Sequence, residues 1–320
     1  MADEIVPKMI RLEASSHCQL RCPSCPTTTG AIDAAVGKGF LTAADFHKLL
    51  NDTPSLEHVE LSNYGEIFLN PELLEIMASA HARGVSLSAD NGVNLNSIRD
   101  DVLEGLVKYG FRSMTCSIDG ASAATYARYR LRGSFDKVIA NIRRINAFKK
   151  QYNAARPALV WQFIVFGHNE HEIEAARELA ESLDMTFRLK LSWDDGEFEV
   201  KDKELVARAT GLGVASRKAY KEKFGRDYQQ RICAQLWVLP QINWDGKVLG
   251  CCRNFWGDFG GNAFRDGLTE SVNSEKMTYA RQMLQGRQPA RGDIPCTTCE
   301  IYIGMQADNK FLTARKKPGR

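Results

Sequence analysis

Between Lys8 and Trp193 the chain alternates short runs of β-type hydrophobicity with longer amphipathic stretches. The runs MIRLEAS, HVELSN, VSLSAD, SMTCSID, LVWQFIV and FRLKLSW read as strands, and Ala43 to Asn51, Glu72 to Arg83 and Glu170 to Leu183 read as helices between them. Strand and helix alternating at this pace predict an α/β protein with a parallel sheet. Six such units are two short of a closed eight-fold barrel, so the expectation is an open, curved (βα)6 sheet, a partial barrel. Its ligands belong at the C-terminal ends of the strands, in the loops that follow them.

The rhythm stops after Trp193. Residues 194–232 are polar and of helical composition (KDKELVARAT, SRKAYKEKFGRDYQQR) and read as a connector. A cysteine-bearing segment, 233–305, follows, and residues 306–320 read as a loose basic tail. The chain is thus divided into a core at 1–193, a connector, a small C-terminal extension and a tail.

Composition adds little except through cysteine. The 320 residues are 44% hydrophobic and 25% charged, with 42 Lys and Arg against 39 Asp and Glu, so no global field argues for a nucleic-acid partner. The first residues, MADEIVPKMIRLEASSHC, carry acidic groups where a signal peptide needs basic ones, and no stretch approaches the ~20 apolar residues of a membrane span. The expectation is a cytoplasmic protein without a membrane or nucleic-acid partner. Nine cysteines in such a chain read as metal ligands or reactive thiols before they read as disulfides.

Directly after the first strand comes Cys18-Gln-Leu-Arg-Cys22-Pro-Ser-Cys25. Three closely spaced thiolates can hold three irons of a cubane cluster and leave the fourth iron open to another ligand. A structural zinc ion would want a fourth ligand, and His17, adjacent to Cys18, is poorly placed to supply it.

This CxxxCxxC run resembles the defining motif of the radical S-adenosylmethionine (SAM) superfamily, and later segments follow the family's order. Asn63-Tyr64-Gly65-Glu66 resembles the GGE motif, implying that Gly65 and Glu66 bind the SAM amino group, with Tyr64 in place of the first glycine. Asp90-Asn91-Gly92 resembles TNG, with Asn91 as a SAM contact. Ser117-Ile-Asp119-Gly120 and Tyr126-Ala-Arg-Tyr-Arg130 resemble (S/T)xDG and the YxxxR after it, implying that Ser117, Asp119 and Arg130 form the SAM site, with Ser117 and Arg130 on its carboxylate. A guanidinium fork suits a carboxylate. Phe163 to Glu172 resembles the end of the family's fifth strand, where His168 and His171 read as loop polar residues. Ser24 stands where the family often has an aromatic against adenine. The resemblance implies a [4Fe–4S] cluster on Cys18, Cys22 and Cys25 that binds SAM, and a reductant such as flavodoxin or ferredoxin. It further implies reductive cleavage of SAM to a 5′-deoxyadenosyl radical that abstracts hydrogen from a substrate.

Beyond the core lie Cys233, Cys251, Cys252, Cys296 and Cys299. Asp245-Gly246 before an apolar pair reads as a hairpin turn, bringing Cys251 toward Cys233. The segment resembles the C-terminal extension of the SPASM/twitch subclass, and Cys233, Cys251, Cys296 and Cys299 suit one auxiliary [4Fe–4S] cluster. Four cysteines ending in CxxC also suit a zinc ribbon. Cys116 reads as core, on the helix-facing side of its strand. If Cys251 faces the cluster from a strand, Cys252 faces away, a free thiol in packing or at the active-site mouth.

Peptide-modifying members of the subclass often carry a leader-binding module ahead of the core, for which Cys18 leaves no room; a polar small molecule, such as a sugar or aminocyclitol, is the expected substrate. Dehydrogenation is favoured. Epimerisation with Cys252 as hydrogen donor, peptide maturation and a zinc-stabilised binding module are the alternatives. Lys190, Asp194 and Asp195, near the end of the sixth strand, are the candidate proton acceptors.

Overall fold

The computed structural model describes residues 2–193 and 196–313. Six strands, β1 (Met9–Leu12), β2 (His58–Glu60), β3 (Ser86–Val93), β4 (Ser113–Ser117), β5 (Ala158–Val165) and β6 (Thr186–Leu191), lie side by side in chain order. Each is parallel to its neighbour. Helices Ala43–Asp52, Leu73–Ala82, Asp100–Lys108, Phe135–Gln151 and Ile173–Ser182 provide the crossovers that parallel pairing requires. The first shows the local logic: Thr42 caps it by accepting from the Asp45 N–H, and Phe46, Leu49 and Leu50 bury its inner stripe. The six expected strands and three expected helices are all present, with ends shifted by a few residues.

The two faces of the sheet differ in chemistry. Ile10, Leu12, Val59, Leu87, Met114, Cys116, Leu159, Trp161 and Phe163 form the buried helix-facing layer, so Cys116 is core as expected. By strand alternation the opposite, concave face carries Arg11, Glu13, His58, Glu60, Ser88, Thr115, Ser117, Gln162, Arg188 and Lys190. A parallel sheet usually covers both faces with apolar side chains. Here one face is left polar.

The extension adds a hairpin of its own to the sheet of the core. β7 (Gln241–Ile242) pairs parallel with β1, and β8 (Val248–Gly250) returns antiparallel, so the hairpin continues the main sheet in the order β6-β5-β4-β3-β2-β1-β7-β8. The sheet therefore has eight strands, not six. Arg281, fully buried, ties the extension down: its guanidinium donates to Leu236 O (2.9 Å), Val272 O (2.6 Å) and Asp3 O (2.7 Å). The tail is also less loose than its composition suggests. Phe311 and Leu312 pack on the core and the Leu312 N–H donates to Leu284 O, while residues 314–320 lie outside the described residues. Among the described residues no helix is long and apolar enough to cross a membrane.

Candidate active site

Three buried carboxylates at the strand ends shape the loop that carries the first cysteines. Glu13, just past β1, accepts from the Tyr64 and Gly65 N–H groups at 3.0 and 3.1 Å. Glu60 accepts from Ser62 N and Oγ, Ser88 Oγ and Asp90 N. Glu66 accepts from Asn94 N at 2.6 Å and Phe68 N at 3.4 Å. Burial pushes the Glu13 carboxyl up to about 8 and that of Glu66 up to about 7, against the pull of these N–H donors. Gly65 packs so closely on the cysteine loop that a Cβ there would lie 2.0 Å from Ser15 O and 2.7 Å from His17 O. That contact, rather than a turn conformation, is why the position is glycine.

All nine cysteines are free thiols. Cys18, Cys22 and Cys25 cluster with Leu20, and N–H donors point at two of the sulfurs: Asn94 Nδ2 lies 3.8 Å from Cys18 Sγ and Arg130 Nη1 3.7 Å from Cys22 Sγ. Burial, with Glu66 nearby, raises the Cys18 thiol to about 12. Such thiols become thiolates only beside a cation, and N–H donors aimed at sulfur are the surroundings that a cluster's ligands use. The residues fit a cubane bound through three cysteines.

The residues of the SAM motifs are held by contacts with the surrounding chain. The Arg130 fork is committed to Asp119, with Nε at 2.7 Å and Nη2 at 2.6 Å from Oδ2, and Asp119 also accepts from Ile164 N. Burial raises the Asp119 carboxyl and Arg130 pulls it back; burial likewise opposes the Arg130 charge, and Asp119 sustains it. The pair is nearly out of water, so the guanidinium needs a fixed counter-ion and Nη1 is left for the cysteine loop. The Glu66 side chain is likewise turned to backbone N–H groups. Ser117 is buried with Oγ against Gly92, whose Cβ would come within 2.6 Å, and Asn91 Nδ2 donates to Asn63 Oδ1. Glu13 and Asn94 carried no motif that marked them; a lone Glu directly after an apolar strand was the available signal.

His168 lies in the turn after β5, a loop residue as read from the sequence, but it is buried, stacked on Phe166 and edge-on to Phe198, and its ring nitrogens have no hydrogen-bond partner among the described residues. Burial, aided by Arg128, lowers it to about 4, so the ring is neutral at pH 7. Tyr129, Phe166 and Phe198 stack beside Leu20 and Cys22, an apolar wall next to Ser24.

Cys233, Cys251, Cys296 and Cys299 line one cavity, together with Leu236, Phe259 and Tyr302. The Asp245-Gly246 turn does bring Cys251 back, with Gly246 at φ +88°. The strand ends at Gly250, however, so Cys251 and Cys252 lie in the following turn rather than alternating on a strand. They still diverge: Cys251 lines the cavity, while Cys252 is half-buried and its N–H donates to Gln235 Oε1. The two sites touch through Tyr64, whose hydroxyl donates to Asn254 O at 2.7 Å. Tyr64, the departure from the glycine motif, is the bridge.

Lys190 stands on β6, the sheet edge opposite β8. Burial lowers it to about 8, Arg188, Arg217 and Arg11 add to this, and Cys252 opposes it. Lys190 in turn lies near enough to Asp119 to bias that carboxyl. Asp194 and Asp195 lie outside the described residues.

An eight-stranded, mostly parallel partial barrel with a CxxxCxxC loop at the end of its first strand defines a class. The chain belongs to the radical SAM superfamily, whose model matches residues 12–180. Among solved structures, SuiB of Streptococcus suis bound to S-adenosylmethionine superposes with a TM-score of 0.65 at 13% identity, over 92% of this chain and 71% of that one. anSMEcpe with bound AdoMet and Kp18Cys peptide gives 0.60 at 15% identity, over 92% and 86%. BtrN in complex with AdoMet and 2-DOIA gives 0.50 at 14%, over 93% and 94%. At these identities the likeness establishes the fold. A curated relative, the AdoMet-dependent heme synthase of Methanosarcina barkeri, is 28% identical over 139 residues, 42% of this chain and 38% of that protein. The chain thus matches well under half the length of that relative.

Proposed function

We propose that this protein is a radical SAM oxidoreductase of the SPASM/twitch kind, acting by hydrogen abstraction on a polar small molecule, with dehydrogenation of an alcohol carbon as its reaction. Bound here, SAM and a reduced [4Fe–4S] cluster would supply the abstracting radical, and an auxiliary cluster an electron sink. Cys18, Cys22 and Cys25 would hold the first cluster, and Cys233, Cys251, Cys296 and Cys299 the second. The reading is supported by one observation: the cysteines gather in two separate groups, Cys18, Cys22 and Cys25 on the loop after β1 and Cys233, Cys251, Cys296 and Cys299 around one cavity of the extension.

The chain's own residues divide the remaining work. Gly65 and the Glu13 clip set the backbone beside the cysteine loop, Ser117 and Asn91 offer polar groups at the strand ends, and the Asp119–Arg130 pair braces Cys22. Tyr129, Phe166 and Phe198 exclude water and offer an apolar surface for the adenine that Ser24 does not. For the hydroxyl proton we keep the carboxylates Asp194 and Asp195, which follow β6 in the chain. Anaerobic reconstitution is expected to load about eight irons, two cubanes of four. The combined Cys18, Cys22 and Cys25→Ala variant is expected to lose about half of them and all 5′-deoxyadenosine formation. Wild-type protein holding about four irons and stoichiometric zinc would instead make the second site structural.

A further inference from the structure

Asn94, directly after β3, carries a side-chain amide whose two ends the fold tells apart. Its Oδ1 accepts from the Asn96 N–H at 3.0 Å and from Gln19 Nε2 at 2.9 Å. A main-chain N–H can only donate, so the atom facing Asn96 is the oxygen and the amino group points the other way. There Nδ2 lies 3.8 Å from Cys18 Sγ and 3.4 Å from Gln19 Oε1, its only partners among the described residues. Gln19 Oε1 is itself 3.9 Å from that sulfur. The main-chain N–H of Asn94 is bound to Glu66 at 2.6 Å, and the residue is 5% exposed. Backbone and side chain are both fixed, and no main-chain carbonyl takes up the amino group.

Capping the Asn96 N–H calls for an oxygen only, which an aspartate would supply as well. A buried amino group needs acceptors of its own, and a thiolate is a far better one than a thiol. With a [4Fe–4S] cluster on Cys18, Cys22 and Cys25, reduction adds one negative charge that the ligating sulfurs share. An N–H aimed at such a sulfur then stabilises the reduced form more than the oxidised one. We propose that Asn94 is a positioning residue that raises the reduction potential of this cluster through its amide on Cys18, with Gln19 and the Asn96 N–H holding it in place. The step it favours is a simple one-electron transfer: a low-potential donor is oxidised by one electron and the cluster is reduced by one. Arg130 Nη1, 3.7 Å from Cys22 Sγ, offers a second donor of the same kind. Its guanidinium also balances Asp119, so Asn94 is the cleaner probe. The inference rests on the proposed function only for the presence of a cluster on these three cysteines.

The test is an anaerobic reductive titration of the reconstituted full chain, followed by electron paramagnetic resonance without substrate. The signal that changes when SAM is added identifies the cluster on Cys18, Cys22 and Cys25. Asn94→Asp keeps an oxygen for Asn96 and Gln19 and exchanges the amino group for a second oxygen; Asn94→Leu removes both. Both variants are expected to keep about eight irons. Each should lower the midpoint of the SAM-responsive signal by about 59 mV or more, which is about tenfold in a one-electron equilibrium, and leave the other signal where it was. An unmoved midpoint, or an equal fall in both signals, would overturn the proposal. A second readout does not depend on the variants' folding: wild-type protein labelled with 15N in its asparagine side-chain amides is examined by pulsed resonance of the reduced SAM-responsive cluster. A weak 15N coupling that Asn94→Asp removes is the expected result, and no coupling in the wild type would overturn the assignment. Wild-type protein without any SAM-responsive signal would strike the proposed function together with this inference; a SAM-responsive signal of unmoved midpoint strikes the inference alone.

Discussion

Arg130 shows how a motif residue changes meaning once its neighbours are known. By its motif it is a ligand for the SAM carboxylate; in the fold its fork is closed on Asp119 and its last nitrogen points at Cys22. Removing one partner of such a pair leaves a buried charge uncompensated, so Arg130→Met is expected to destabilise the protein by about 3–5 kcal/mol in chemical denaturation. A variant of wild-type stability with weakened SAM binding would restore the motif's reading. Glu13 makes a prediction in pH. Its folded pKa, about 8, lies above that of an unfolded glutamate, so the native state binds the extra proton and the stability it contributes is lost as pH rises from about 4.5 toward 8. Glu13→Gln should flatten the fall in denaturation midpoint across that window; an unchanged slope would place the titration elsewhere.

At the level of elements, the β7–β8 hairpin is the piece that extends the six-stranded sheet to eight. It docks on β1 through two register pairs and is held from the loop side by the hydroxyl of Tyr64 on Asn254 O. Tyr64→Phe leaves that carbonyl without its donor, at a cost of about 1–3 kcal/mol if it stays buried. Faster amide exchange in residues 248–254, with the rest of the sheet unaffected, is the expected signature. Uniform exchange across the whole sheet would mean that the hairpin is held by strand pairing alone.

Across the whole molecule the cysteines sort into three environments. Two groups line separate sites, Cys116 is sealed in the helix layer, and Cys252 alone is half-buried and outside both sites. Alkylation of anaerobic holoenzyme with iodoacetamide is therefore expected to label Cys252 selectively, and Cys252→Ala should abolish the labelling while keeping about eight irons. Iron lost from that variant would make Cys252 a ligand. With substrate in hand, product made by Cys252→Ala would support dehydrogenation, and product lost together with solvent deuterium would support epimerisation.

Much of this was legible in the chain, because local patterns obey local physics. Period-two runs set the strands, apolar stripes the helices, and the spacing of Cys18, Cys22 and Cys25 marked a cluster loop, since each depends on residues only a few positions apart. The polar concave face was written in the same strands, as alternate residues of β1 and β6, but its meaning depends on which strands end up opposite each other. Tertiary structure alone decided that the hairpin joins the main sheet, that Asp119 claims Arg130, and that Tyr64 bridges to Asn254. Asp119 and Arg130 stand only eleven residues apart, but their pairing is chosen by burial and by the need to compensate buried charge, and the hairpin's docking on β1 and the Tyr64 bridge join partners that no sequence window contains.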